Sequence, residues 1–490
     1  MRLKTNLVIS AVFLVLLAFV YFLDKGEKEQ KAEEERSKKL ADFKDHEARS
    51  ISIVGADTTI VLEKLEDSWG LVQPVVSGAD DSAVNRLLSN LRETDVQRVI
   101  EDSAAVAAAP DLAAKYGLAE PRLRVLLSLS EGPLDTVAFG GDSPTGRYTY
   151  AQRLGVNPEI FTVEVWRLDN LDKSVFDLRD RRVLAFDRNE VGEVRITRPG
   201  GDNIVLSKEG SEGEWRFNSP LSVAADGSAV TGVLTRLQDG KARSFVAENP
   251  GQAELSEYGL SSPSPSSSTG TMLVVSLLLG EDRAEKRLMV GVEADGGKYY
   301  ARDASRNPVF LIDPTLVNEL RKPISELRDK RPLRISERDA VRRIEIRKEG
   351  EQLAVVERDS TESWNLLSPA GRTAKSWRWN SVITDLDGVE VTGFVLDWQD
   401  DDDPDLTEYG LEDPSGVVVV TDKDGAKVEV HVGGPTESGG VYIRRVGIPS
   451  VYEVEAETIE NLDLSLDDIT TPAADDPDST STGGEDDDTG

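Results

Sequence analysis

Three octapeptides decide how this chain is read: Asp67–Pro74 (DSWGLVQP), Gly213–Pro220 (GEWRFNSP) and Glu362–Pro369 (ESWNLLSP). Each places a Trp (Trp69, Trp215, Trp364) five residues before a Pro, and the tryptophans stand 146 and 149 residues apart. A fixed long period marks an internal repeat, so the chain is read as copies of one unit. Upstream of each Trp lies an alternating stretch, RSISIVGADTTIVLEK, EVRITRPGGDNIVLSK or RRIEIRKEGEQLAVVE. Alternation on either side of a polar break predicts two strands joined by a turn, with the Trp closing the hairpin.

Downstream of each Pro the period changes from two to 3.6. Val84, Leu87, Leu88 and Leu91 repeat as Val230, Val233, Leu234 and Leu237, then as Trp379, Val382, Ile383 and Leu386. That spacing predicts a helix with one face in the core. Tyr-Gly-Leu follows, at Tyr116-Gly117, Tyr258-Gly259 and Tyr409-Gly410, each with a Pro soon after, where the Gly supplies a turn or a helix cap. Further strands end at Gly140, Gly291 and Gly433 and lead to strands carrying Tyr150, Tyr300 and Tyr442. A short helix closes each unit at Leu178, Leu327 or Ile469.

The first two copies continue as Arg179-Asp180 and Arg328-Asp329, whereas the third continues as Thr470-Thr471. The pair is missing only where no further copy follows. It is therefore read as a tie from one unit to the next, the Arg bonding carbonyls or a carboxylate at the junction. The units are placed at 40–182, 183–331 and 332–469, each long enough for a core of its own. The fold class expected is α+β: one N-terminal transmembrane helix, three tandem repeated β-rich α+β domains and a disordered acidic tail.

Outside the repeats, Leu7 to Leu23 (LVISAVFLVLLAFVYFL) is an uncharged run of spanning length. It ends without a small-x-small cleavage site, so it is read as an uncleaved anchor after a stub of residues 1–6 rather than a removed signal peptide. Six basic residues follow the run and two precede it; this bare count favours a cytoplasmic C-terminal side. Long domains are exported largely regardless of flanking charge, and the reading adopted is inner membrane, single-pass, with the domains in the periplasm. Residues 24–39 read as a solvated charged stalk, and 470–490, with seven carboxylates and no basic residue, as a disordered tail. Ser261–Gly270 (SSPSPSSSTG) reads as a flexible insertion.

Composition limits the chemistry. The formal charge of −33 opposes a phosphate backbone, so no nucleic-acid partner is expected. With no Cys, thiol nucleophiles and thiolate metal sites are excluded. The two histidines, His46 and His431, have no partner visible in the sequence. Gly291 to Tyr299 (GVEADGGKY) has the wrong length and ending for a phosphate loop. Asp400, Asp401, Asp402, Asp403 and Asp405 form the one metal candidate, but they lack the alternating ligands, central Gly and distal Glu of a calcium loop, and a solvated loop is preferred. The repeated tryptophans read as packing in preference to carbohydrate platforms. No catalytic residue and no cofactor is assigned.

The Trp-to-Pro hairpin, the Tyr-Gly-Leu turn, the Gly-then-Tyr strands and the closing Leu327-Arg328-Asp329-Lys330 resemble the bacterial family catalogued as domain of unknown function 4340 over most of residues 40–469. The resemblance implies an N-terminal anchor and an envelope role beside an ABC-type transporter of the gliding-motility or auxiliary kind, and it carries no catalytic residue over. The function expected is accordingly a membrane-anchored, extracytoplasmic accessory or scaffold protein, held to the membrane by Leu7 to Leu23. The alternative is a module binding envelope glycans or divalent cations; an enzyme is the third reading.

Overall fold

The computed structural model describes residues 38–472, apart from 110, 131, 134–135, 156–157, 199–202, 211–212, 262–270, 336 and 399–403. The chain divides into two compact units, Met1–Arg181 and Arg182–Gly490.

In the second unit the alternating stretch before Trp215 forms β1 (Val191–Thr197) and β2 (Ile204–Ser207), and the strand after Trp215 is β3 (Arg216–Ser219). The helix α1 (Gly227–Gln238) buries Val230, Val233, Leu234 and Leu237, the face its period predicts. Asp226 caps it by accepting hydrogen bonds from the N–H groups of Ser228 and Ala229, which satisfies donors the first turn leaves open. The chain then forms β4 (Ser244–Ala247), β5 (Leu273–Leu279), β6 (Ala284–Ala294), β7 (Lys298–Asp303) and β8 (Val309–Ile312). The sheet order is β3-β2-β1-β5-β6-β7-β8-β4, antiparallel throughout. All seven residues of β5 are buried, as a central strand covered on both faces requires.

The same order recurs around the third Trp, from Trp364–Ser368 at one edge to Gly393–Asp397 at the other. In the first unit it recurs from Trp69–Gln73 to Arg98–Glu101, with two dipeptide strands, Ser77–Gly78 and Gly132–Pro133, added. A separate core cluster fills each repeat, built from the helix and one face of its sheet. Smaller clusters around Tyr116 and Leu118, and around Leu406 and Leu411, pack elsewhere.

Two parts of the expected fold class are corrected. The described chain is β-rich rather than α+β: four sheets carry it, while each repeat has one helix of 12 or 13 residues. The physical reason is that, beyond the one helix that covers each core, the segments after Tyr-Gly-Leu alternate and pair into long antiparallel ladders. The N-terminal spanning helix is also not supported: among the described residues no helix is long and apolar enough to cross a membrane. The described helices of three turns are amphipathic, with one face spent on a core. Leu7 to Leu23, and the stalk up to residue 37, lie outside the described residues.

The tail is corrected at its start. Thr470–Pro472 is a strand paired antiparallel with Arg372–Ala374, because that neighbour offers free ladder groups and Thr470 is buried beside it. Residues 473–490 lie outside the described residues.

Candidate functional site

The closing Leu-Arg-Asp is placed by the short helix before it. In the first repeat Ala79 bridges Arg179, in the second Ala225 bridges Arg328, and in the third Ala374 pairs with Thr470. Arg179, Arg328 and Thr470 thus occupy one position in three copies, and all three are buried. Asp180 and Asp329 donate their N–H groups to the carbonyls of Gly78 and Ala224. The Asp329 carboxylate accepts from the N–H of Arg331 at 2.9 Å, turning the chain into the third repeat.

Arg328 leaves the second repeat and enters the third. Its Nη1 donates to both carboxylate oxygens of Asp397 at 2.9 and 2.8 Å, and its Nη2 donates to Ser450 Oγ at 3.0 Å. Ser450 Oγ in turn donates to Asp397 at 2.6 Å. The guanidinium lies over the Phe394 ring, 3.9 Å from its centroid. Only 3% of the Arg328 side chain is exposed, against 28% for Asp397. A buried guanidinium is tolerable when its planar fork is matched by a carboxylate and an aromatic face, and this site provides both. Thr470 at the equivalent position turns inward instead, donating to Leu466 and accepting from Arg372 Nε, both at 2.6 Å.

A second device holds each entering segment. Arg153 Nη2 donates to the carbonyl of Lys39 at 2.5 Å, Arg306 Nη2 to that of Arg182 at 2.6 Å, and Arg445 Nη1 to that of Pro332 at 2.8 Å. The segments held precede Leu40, Leu184 and Leu333, all buried in the core of the repeat they enter.

The other repeated residues serve packing. Trp69, Trp215 and Trp364 are buried, with a cation over each ring from Lys64, Lys208 and Arg358, so they present no platform to a sugar. Gly117, Gly259 and Gly410 have φ of 72°, 65° and 66°, which only Gly adopts without strain. Their turns bring the Tyr carbonyl against a facing glycine: a Cβ on Gly140, Gly291 or Gly433 would stand 2.4, 1.9 or 2.2 Å from the carbonyl oxygen of Tyr116, Tyr258 or Tyr409. Each Tyr packs on a second one, Tyr116 on Tyr150, Tyr258 on Tyr300 and Tyr409 on Tyr442, with centroids 4.7, 4.5 and 5.2 Å apart. A hydrogen bond to Glu101 raises the Tyr116 phenol, burial raises Tyr258, and a bond to Glu408 pushes Tyr409 up to about 12.

Asp400 to Asp403 lie outside the described residues. Asp405 is exposed and accepts from the N–H of Thr407 at 2.9 Å; the Thr407 hydroxyl and N–H lower its pKa. Among the described residues no three His, Asp or Glu side chains gather as metal ligands. His431 Nε2 pairs with Glu429 at 2.9 Å, and His46 is exposed in a single 3-10 turn. Gly291 to Tyr299 runs through the β6–β7 hairpin and its turn.

Sequence reasoning found Arg328 and missed what receives it. One signal was present: Phe394 and Asp397 align with Phe245 and Glu248, whereas Val99 takes the phenylalanine's place in the first repeat. The three clamping arginines carried less of a signal, since Arg306 reaches its carbonyl from a later position than Arg153 and Arg445.

The geometry defines a tandem-repeat β protein whose recurring arginines hold the chain where it enters each repeat and, at Arg328, join the second repeat to the third. The chain belongs to the family described as Domain of unknown function (DUF4340), whose model matches residues 69–214, 215–406 and 397–480. No curated protein and no solved structure matches it.

Proposed function

We propose that this chain is a non-enzymatic accessory or scaffold protein of the bacterial envelope, located at the inner membrane with its domains in the periplasm and associated with an ABC-type transporter of the gliding-motility or auxiliary kind. One observation carries the reading: the recurring arginines are spent on holding the chain where it enters a repeat and, at Arg328, on tying the second repeat to the third. Arg328 locks onto Asp397 and Ser450, and Arg153, Arg306 and Arg445 hold entering carbonyls. The second and third repeats, tied by Arg328, offer extended surface for assembly with other chains.

Affinity purification of the full chain from mild detergent is the test. Recovery of transporter subunits supports the reading, and their repeated absence with a folded bait refutes it. The location has its own test: a reporter active only outside the cytoplasm, fused at the C-terminus, is expected to be active. Protection of the domains from protease in spheroplasts refutes the periplasmic placement.

A further inference from the structure

The joint between the second and third repeats opens into a cleft of about 570 Å³, within the size range of small-molecule sites. In a chain with 90 acidic and 57 basic residues, its lining is reversed in sign. Arg216 comes from β3, Arg331 and Arg334 from the connecting segment, and Arg445 from the third repeat, facing only Glu214 and Asp329. A fifth arginine, Arg328, is already committed to Asp397.

Among the described residues none of these four guanidinium groups makes an ion pair. Among the described residues the side chains of Arg216 and Arg331 have no hydrogen bond or ion pair. Arg334 stands near Asp387, but that carboxylate is engaged by Arg338 Nε and the N–H of Ile335, both at 2.8 Å. Arg445 is half-buried and meets only carbonyl oxygens, those of Pro332 at 2.8 Å and Arg334 at 3.5 Å. Burial lowers its pKa, the mark of a cation taken from water without an anion beside it. The two carboxylates of the lining, Glu214 and Asp329, keep their charges, the latter while accepting from the N–H of Arg331, and are outnumbered by the four arginines.

We propose that this cleft binds a small multivalent oxyanion, with Arg216, Arg331 and Arg334 supplying forked donors around its rim and Arg445 lying deeper. Guanidinium forks match phosphate and carboxylate oxygens alike. Two or more oxyanion groups on one ligand are required to span donors arriving from both repeats and to outweigh Glu214 and Asp329.

The test is calorimetric titration of the full chain at low salt with inorganic pyrophosphate and, separately, with citrate; the two arms tell a phosphate ligand from a polycarboxylate. Saturable binding at one site per chain is expected for at least one, weakening as salt is raised. Arg331→Gln combined with Arg334→Gln is expected to weaken it roughly tenfold or more, given the strength of charged hydrogen bonds. Both residues are exposed, so the fold is retained. Arg124→Gln, an exposed charge change in the first unit, is expected to leave affinity unchanged. The proposal fails if neither anion binds at millimolar concentration, or if the double variant binds as tightly as the parent.

Discussion

Arg328 and Asp397 form a joint whose two halves are unequally buried, and removing either half has a different cost. Arg328→Ala leaves Asp397 with 28% of its side chain exposed and still bonded to Ser450, so water and the hydroxyl replace most of what is lost. Breaking a buried pair typically costs 3–5 kcal/mol, and this variant belongs at the lower end, about 3 kcal/mol. Asp397→Ala instead strands a guanidinium that is 3% exposed, keeping only Ser450 and the Phe394 face, so about 4–5 kcal/mol is expected. Because each single variant already destroys the pair, the double variant falls short of the sum by roughly 1.5 kcal/mol or more. The assay is urea unfolding of the full chain, followed by tryptophan fluorescence, since Trp364 and Trp379 are buried in the third repeat. Calorimetry is expected to show the transition of the second unit moving down about 2–4 °C per kcal/mol, the first unit's transition staying in place. Additive single effects, or an Arg328→Ala variant costlier than Asp397→Ala, would refute the asymmetry argument.

Gly291→Ala forces a Cβ to 1.9 Å from the Tyr258 carbonyl oxygen and is expected to destabilise by about 3 kcal/mol or more in a denaturant titration. Gly232→Ala, exposed in α1 with nothing within 4 Å of the new atom, is expected to stabilise by up to about 1 kcal/mol, and a loss there would contradict the helix geometry. Glu193 provides a pH signature. Burial alone would raise its pKa, yet hydrogen bonds from Arg283 and Arg195, at 2.6 and 2.5 Å, hold it below its ordinary 4.5. A carboxylate lowered in the folded state stabilises fully above pH 4.5 and progressively less as pH falls through its folded value. Melting temperatures of Glu193→Gln are therefore expected to fall less than the parent's below pH 4.5, and equal slopes would disprove the contribution.

The repeat, the helix faces and the hairpins were legible in the chain because their signals are local. Val230, Val233, Leu234 and Leu237 lie within three turns of one another, so their spacing alone states which face is buried. The buried role of the tryptophans was legible for the same reason, each standing beside its hairpin and its helix. Arg328 was legible as a joint from a comparison between copies, since Thr470 replaces it in the third. What receives that arginine was not, because Asp397 and Ser450 lie 69 and 122 residues away. No local period encodes a partner at such a distance.

The sheet order is the other part that sequence left undecided. Gly393–Asp397 follows the helix in the chain, yet it pairs with Ser450–Val454 at the far edge, a choice made by ladder hydrogen bonds among segments distant in sequence. The same pairing places Asp397 beside Ser450 and so builds the socket for Arg328. The strand at Thr470–Pro472 follows the same rule: its residues are polar and resemble the tail that succeeds them, and only the open edge of Arg372–Ala374 makes them a strand. Sequence by itself therefore determined the number of copies, their apolar faces and the residue that joins the second to the third. The tertiary structure alone decided which groups meet, because burial and partnership of an arginine depend on what the folded chain brings around it.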